Sequence, residues 1–390
     1  MKILHTSDWH IGKKTENYDR LPEQAEVLDE ICDIADRENV ELVLVAGDDF
    51  DTFVPSSEAE ELFYEKIVKL ASGRAVIVIS GNHDDATRLC ASAPLAVKQG
   101  VYFAGNVNTD DNASAKKSGG GVELTGSGEG YVTVSNVSGE EIYVGMLPYP
   151  SEARFREKNS GETHAQKIAG WMKKCFAGNV KNLPAVFVSH LFTVGGLTSD
   201  GEREISLGGA KAVDKASFPE TLYTALGHLH KRQVIDKEKN VIYSGSVLQY
   251  AFDEVNVEKS VTVFEIKKGA VTDLHVVPLT RGKRLARLSA TSVQQAAQLL
   301  KNYENYLVEL TLKLKSPINR EENAYLHTEF PNVISLKLEL PVGVERGVKG
   351  RKEMNDETLF NEYYKKQYGD EPEKELTRLF LSLLTEVNEK

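Results

Sequence analysis

Seven oxygen and imidazole donors recur in five short motifs across the first 230 residues. The motifs are Asp8-Trp9-His10, Gly47-Asp48-Asp49-Phe50-Asp51, Gly81-Asn82-His83-Asp84, a lone His190, and Gly227-His228-Leu229-His230. Five of the nine histidines fall inside them. The donor set is Asp8, His10, Asp48, Asn82, His190, His228 and His230, without a cysteine, and it suits Mn, Fe or Zn better than a structural zinc site. Seven donors are too many for one tetrahedral ion and match two ions that share a bridging carboxylate. Two ions roughly 3.5–4 Å apart clamp the attacking and leaving oxygens of a phosphoryl displacement. Asp48 is the natural bridge, because it is the central carboxylate and follows a glycine that permits close backbone approach. His83 stands apart: Asn82 can ligate a metal while the neighbouring imidazole faces the substrate phosphate. There it can stabilise the charged transition state or protonate the leaving oxygen.

The elements that must position these residues are strands. Ile3–Thr6, Leu42–Ala46, Val76–Ser80, Ala185–Ser189 and Leu222–Leu226 each read as a β-strand ending at a motif. Side chains at the carboxyl ends of adjacent strands converge at one sheet edge, where α/β folds place their sites. Taken singly, Gly-Asp and Gly-Asn fit ordinary turns, and a lone histidine fits a satisfied core position. The conjunction of all five, in order and each behind a strand, defines one cluster.

At these residues the chain resembles the calcineurin-like metallophosphoesterases, whose signature is Asp-x-His, Gly-Asp-x-x-Asp, Gly-Asn-His-Asp/Glu, His and Gly-His-x-His. The flanking text is similar to the SbcD nuclease subunits. It includes His5-Thr6-Ser7-Asp8-Trp9-His10-Ile11-Gly12, Ala225-Leu226-Gly227-His228-Leu229-His230-Lys231, and Tyr243-Ser244-Gly245-Ser246-Val247-Leu248-Gln249-Tyr250. The resemblance implies that Asp8, His10, Asp48 and His230 hold a first metal. It gives Asp48, Asn82, His190 and His228 to a second, with His83 catalytic and manganese the expected ion. Asp51 and Asp84 then belong behind the ligands rather than on the metals. Asp49 departs from the family, which usually has an apolar residue there. This extra acid either adds negative charge to the site or faces away.

The composition fits a soluble, cytoplasmic enzyme of two or three domains in 390 residues. No 18-residue apolar run reads as a membrane span, and the opening strand leaves no room for a secretory signal. Cys32, Cys90 and Cys175 are sparse and odd in number, as expected of reduced thiols without a metal role. The net charge of −11, from 47 Lys and Arg against 58 Asp and Glu, is unusual for a protein that grips DNA by charge alone. Basic residues do cluster at Arg281, Lys283, Arg284 and Arg287, and again at Arg346, Lys349, Arg351 and Lys352. Each cluster reads either as a solvated turn or as a phosphate contact. Lys13, Lys14 and Arg203 are weaker candidates of the same kind, and Trp9 reads as core.

Along the chain, Pro22–Glu38 and Ser57–Ala71 place apolar residues on one helical face, the second after a serine in N-cap position. Cys90–Val97 is a short apolar segment that packs in the core or, as the family implies, contributes to a homodimer. Residues 106–130 read as a mobile hairpin or insertion loop, and Gly195–Gly209 as a loop beside the site. From about residue 270 the pattern changes. Strands Arg284–Leu288, Tyr306–Lys313 and Val333–Leu340 alternate with helices Ser292–Tyr303 and Ile318–His327. The expected fold is α/β: a calcineurin-like β-sandwich flanked by helices over residues 1–270, a small α/β cap over 271–345, and a linker with a C-terminal helical pair over 346–390. In the family the cap guides DNA and the terminal pair binds the coiled coil of the SbcC-type ATPase. That implies partner contacts at Leu359, Phe360, Tyr363, Leu376, Leu379, Phe380 and Leu383, and a homodimer within a heterotetramer.

The sequence therefore predicts a two-metal DNA nuclease subunit acting in repair, recombination and replication. By resemblance it is a 3′ to 5′ double-strand exonuclease and a single-strand and hairpin endonuclease. The alternatives are a phosphodiesterase acting on small phosphoesters, and a DNA-tethering scaffold with a vestigial site.

Overall fold

The computed structural model describes residues 1–107, 121–155, 162–199, 212–340, 356–368, 372 and 374–388. Two sheets pack face to face. The first has six strands in the order Ala270–Pro278, Ser260–Lys267, Lys2–Thr6, Leu42–Val45, Ala75–Ile79 and Val101–Ala104. The second has seven, in the order Gln233–Asp236, Val241–Tyr243, Tyr223–Gly227, Ala185–His190, Glu141–Leu147, Tyr131–Asn136 and Val122–Gly128. The central strands of each sheet are parallel and are apolar runs buried on both faces, as parallel sheets require. Ile3, Leu42, Leu44, Ile77 and Ile79 of the first sheet meet Val144, Val186, Val188, Ala225 and Ile242 of the second in one buried layer.

Helices cover the outer faces. Val27, Leu28 and Ile31 of helix Leu21–Arg37 pack on Leu4, Val43 and Val45, together with Leu62, Phe63 and Ile67 of helix Ser57–Leu70. The Ser56 hydroxyl accepts from the Ala59 amide and caps the second helix. Ile168, Trp171 and Met172 of helix His164–Ala177 cover the other sheet through Phe187 and Leu226. Trp9 is core: it is 1% exposed, and its indole N–H donates to Thr6 Oγ1 at 3.0 Å.

Some expectations are corrected. The first sheet does not end at residue 270, because Ala270–Pro278 returns antiparallel along Ser260–Lys267 and stays with the sandwich. The two-residue turn between them, Lys268-Gly269, has φ of 52° and 74°, the left-handed pair that closes tight hairpins. The expected loop 106–130 contains the strand Val122–Gly128, while residues 108–120 lie outside the described part. Cys90–Val97 is split, with Cys90 ending helix Ala86–Cys90 and Ala93–Ala96 forming another short helix. Cys32 and Cys175 are buried, and none of the three cysteines is in a disulfide.

Beyond the sandwich, Arg284–Ala290, Tyr306–Lys313 and Val333–Glu339 form a parallel three-stranded sheet. Helices Val293–Leu300 and Arg320–Glu329 connect its strands, around a separate core of Leu300, Val308, Leu310 and Leu312. Helices Asp356–Tyr368 and Lys374–Asn388 follow, with the Phe360 and Phe380 rings stacked 4.1 Å apart. Among the described residues no helix is long and apolar enough to cross a membrane.

Candidate metal centre

The motif-bearing strand ends of both sheets meet at one edge of the sandwich, and backbone hydrogen bonds lock them together. The amides of Asp8, His10 and Ile11 donate to the carbonyls of Gly47, Asp48 and Asp49. The glycines ahead of the motifs are there because nothing larger fits. A Cβ on Gly81 would stand 2.1 Å from Asp48 Oδ1, and one on Gly227 would stand 2.0 Å from the Ala46 carbonyl oxygen. Asp8, His10, Asp48 and His228 all have positive φ (53°, 46°, 54° and 108°), a backbone region that side-chain-bearing residues rarely occupy. Such strain persists where the surrounding packing over-determines it, most often at functional sites.

All seven predicted donors come together. Asp48 Oδ2 lies 3.6 Å from His10 Nε2 and 3.4 Å from His190 Nε2, between the two halves of the cluster. On one side His10 Nε2 and His230 Nε2 are 3.0 Å apart, with Asp8 close by. On the other, Asn82 Oδ1 is 2.9 Å from His190 Nε2 and 2.8 Å from His228 Nδ1. Around a six-coordinate ion with bonds of about 2.1 Å, neighbouring donors stand about 3 Å apart. Oxygen and imidazole donors at these separations therefore suit divalent cations.

Two of the rings are held from behind by backbone carbonyls. A carbonyl can only accept, so His190 carries its proton on Nδ1, 2.8 Å from the Ala46 oxygen, and turns Nε2 inward. His83 likewise donates through Nδ1 to the Asp51 carbonyl at 2.7 Å. That leaves its Nε2 as the reactive nitrogen. Asp51 Oδ1 is 3.4 Å from His10 Nδ1 and 2.8 Å from Lys13 Nζ. Asp84 accepts from the Gly81, Phe50 and Asp49 amides at 2.7, 2.9 and 3.2 Å, tying the second and third motifs together. Asp84 thus contacts backbone amides, and Asp51 contacts His10 and Lys13.

The electrostatics are those of crowded buried ligands. Burial lowers His10 and His228 to about 3, so both rings are neutral and ready to ligate. Burial also opposes charge on His190, but the Asp48 carboxylate prevails and raises it to about 9. Burial raises Asp8 to about 6 against the pull of His190 and His230. Asp48 resists burial through its imidazole neighbours and stays well below the usual carboxylate range. Asp49 does not face away into solvent. It is fully buried, its carboxyl has no hydrogen-bond partner among the described residues, and burial with the nearby Asp84 and Asp48 charges pushes it well above the usual range.

The basic candidates lie elsewhere or are engaged. Arg281 pairs with Asp33 and Arg287 with Glu309, and Lys283 Nζ sits 5.4 Å from the Tyr18 ring centre. With the exposed Arg284 they line a cleft of about 610 Å³ between sandwich and cap. Arg203 and Arg351 lie outside the described residues. On the terminal helices Leu359 and Phe360 are half-buried, while Tyr363, Leu376 and Leu379 are exposed; the Leu383 side chain is outside the described part. Sequence reasoning missed Arg154, which donates to Ser80 Oγ at 2.9 Å and the Asp84 carbonyl at 2.7 Å and so brackets the third motif. It missed Tyr149, whose ring stacks on His228 at 6.2 Å, and the buried Glu254, 3.4 Å from His230 Nδ1.

Residues 1–232 match the calcineurin-like phosphoesterase family, and the chain belongs to that family. It is 34% identical to the SbcD subunit of the nuclease SbcCD of Bacillus subtilis (strain 168), over 100% of this chain and 99% of the relative. The protein of the same description from Staphylococcus saprophyticus is 28% identical over 99% of both chains. A crystal structure of a dimetal phosphatase from Danio rerio is 12% identical, with a TM-score of 0.42 over 72% of this chain and 98% of that one. Within the family this chain is a member of the SbcD branch, and its enzyme class is that of a metal-dependent phosphodiester hydrolase.

Proposed function

We propose that this chain is the nuclease subunit of a DNA-processing complex and cleaves DNA phosphodiesters with two divalent ions, manganese in the cell. One observation carries the reading: Asp48 Oδ2 lies between His10 and His190, with donors gathered on both sides of it. Asp8, His10, Asp48 and His230 would hold one ion, and Asp48, Asn82, His190 and His228 the other. When bound, the two ions supply activation of the attacking water and neutralisation of the phosphoryl oxygens. The chain's own residues do the rest. Asp51 and Asp84 orient the ligands, and the Asp51 carbonyl aims His83 Nε2 outward. His83 then stabilises the transition state or protonates the leaving oxygen.

The basic cleft between sandwich and cap supports a DNA path over Arg281, Lys283 and Arg284, with Lys13, paired to Asp51, as a further phosphate contact. The other two candidates, Arg203 and Arg351, lie outside the described residues. The full-length likeness to SbcD proteins supports the finer reading. That reading comprises a 3′ to 5′ exonuclease and hairpin endonuclease, a cytoplasmic role in repair, recombination and replication, and an SbcC-type ATPase docked on the terminal helices. It also includes a homodimer within a heterotetramer, for which Leu95, 71% exposed on the short helix Ala93–Ala96, is a candidate contact. The test is cleavage of a labelled DNA hairpin with manganese by the protein alone, with its ATPase and ATP, and by His83→Ala. Metal-dependent cleavage that expands with ATP and vanishes in the variant is expected. Turnover of a simple phosphodiester with no DNA cleavage would overturn the reading in favour of a small-substrate enzyme.

A further inference from the structure

Behind His230 lies a buried acid–base pair that the metal ligands do not account for. Glu254 is fully buried, with Oε1 3.4 Å from His230 Nδ1 and Oε2 bonded to Lys259 Nζ. Lys259 Nζ also donates to the His230 carbonyl and to Ser246 Oγ, both at 2.8 Å. Such a pair is a poor device for stability, because desolvating two ions offsets their attraction and an apolar pair of similar volume does as well or better. Its neighbour supplies a reason. A metal-ligating histidine donates its second ring N–H to a carboxylate or carbonyl, which fixes its tautomer and orientation. His10 has Asp51 in that place and His190 has the Ala46 carbonyl. Glu254 stands in the same place for His230. The 3.4 Å separation is long, and a cation at Nε2 makes Nδ1–H a stronger donor that draws it in.

The same turn is fastened to the cap. Gln249, 5% exposed, donates from Nε2 to the carbonyls of Glu254, Val255 and Val257 at 2.9, 3.1 and 3.0 Å. Its Oε1 accepts from the Leu285 amide at 2.7 Å, on the first strand of the cap. Its own carbonyl accepts from the buried Arg20 at 2.9 Å. The Gln249 side chain thus ties the cap strand to the main chain of the turn whose Glu254 carboxylate faces His230.

We propose that Glu254 is a positioning residue for the first metal, locking His230 with Nε2 toward the ion, and that Gln249 ties this lock to the cap. The inference rests on the two-metal reading above. The test is manganese binding to the full-length protein, followed by calorimetry and by the spin-coupled signal of a manganese pair. Wild type should bind two coupled ions. Glu254→Gln should weaken one site by about 10- to 100-fold and leave the other unchanged, so that at intermediate manganese the coupled signal gives way to that of a single ion. Gln249→Leu should move the same site in the same direction by a smaller factor. Glu254→Gln strands the Lys259 charge and can unfold the protein, so the double variant Glu254→Leu, Lys259→Met, which buries no lone charge, must show the same loss. A folded double variant that binds both ions as tightly as wild type overturns the role of Glu254, and wild-type binding in Gln249→Leu overturns the tie to the cap. Failure of wild type itself to bind a coupled pair would instead reject the two-metal reading.

Discussion

The metal centre and the cap use polar residues in opposite ways. At the centre, carboxylates and imidazoles are buried, four of them on left-handed backbone that costs roughly 1–2 kcal/mol each. In the cap the core cluster is apolar, Asn319 caps a helix through a reciprocal box with Glu322, and Glu309 is the one charged side chain buried among the described cap residues. Arg287 and Lys337 both reach that carboxylate from half-exposed positions, so it is paired at the surface of the sheet. A sandwich of two sheets over-determines the strand ends and can hold strained ligands, whereas a three-stranded module cannot. The cap is positioned instead by a strap. Glu30 accepts from the Thr280 amide and hydroxyl and from the Arg281 amide, while Arg20 reaches the Lys283 carbonyl at 3.1 Å. The division assigns chemistry to the sandwich and reach to the cap.

The largest break in that comparison should come from Asp48→Ala. It removes the one carboxylate between both halves, so turnover of DNA and of a small phosphodiester should fall together by about 10³-fold or more. A loss confined to DNA would refute the division. His83→Ala should cost about 10²- to 10⁴-fold on both substrates while manganese still binds, if the ring serves the substrate as proposed. Lost manganese binding would instead make it a ligand beside His10 and Asp48. Glycines give a structural version of the same contrast. Gly81→Ala drives a Cβ into Asp48 and should cost about 1–3 kcal/mol or more together with metal affinity. Gly139→Ala, at φ +80° with open space around it, should cost only about 1–2 kcal/mol and leave the centre intact. Chemical denaturation with and without manganese separates the two.

Removing the metals exposes a pH dependence. Metal-free His190 is raised to about 9, so at pH 7.5 it carries a proton that a ligand must lose. Manganese binding near pH 7.5 should therefore release a proton, read from the buffer dependence of the binding heat, and release less above pH 9. The sign for stability follows. A raised histidine stabilises the metal-free fold fully below about 6.5, and that contribution is lost as pH rises through about 9. Denaturant midpoints across pH 6–10 measure it.

The strand-then-motif pattern made the donors legible, since apolar runs and the residues after them are local. Asp84 was legible as part of the third motif. Glu254, Lys259 and Gln249 were not, because each is a lone polar residue in irregular text. Their meaning comes from contacts to His230 and Leu285, which lie far off in sequence. The same holds for Arg154, whose partners at Ser80 and Asp84 lie about seventy positions back. The hairpin Ser260–Pro278 did carry a signal: Lys268-Gly269 flanked by alternating residues is a two-residue turn. Reading it would have kept Ala270–Pro278 with the sandwich.

The strap and the cap surface give the smaller effects. Glu30→Ala removes the acceptor of three bonds and should loosen cap placement, lowering DNA cleavage several-fold while small-phosphodiester turnover stays within about twofold. Equal loss on both substrates would mean that the strap shapes the metal centre as well. Smallest of all is Arg287→Ala. Its guanidinium is half-exposed and Lys337 remains to pair the buried Glu309, so stability should move by only about 1 kcal/mol. If the guanidinium also meets a phosphate, the slope of log affinity against log salt should shrink by about 1. An unchanged slope would leave it to the ion pair with Glu309 and confine the DNA path to the cleft's other cations, Arg284 foremost, since it is exposed on the same strand.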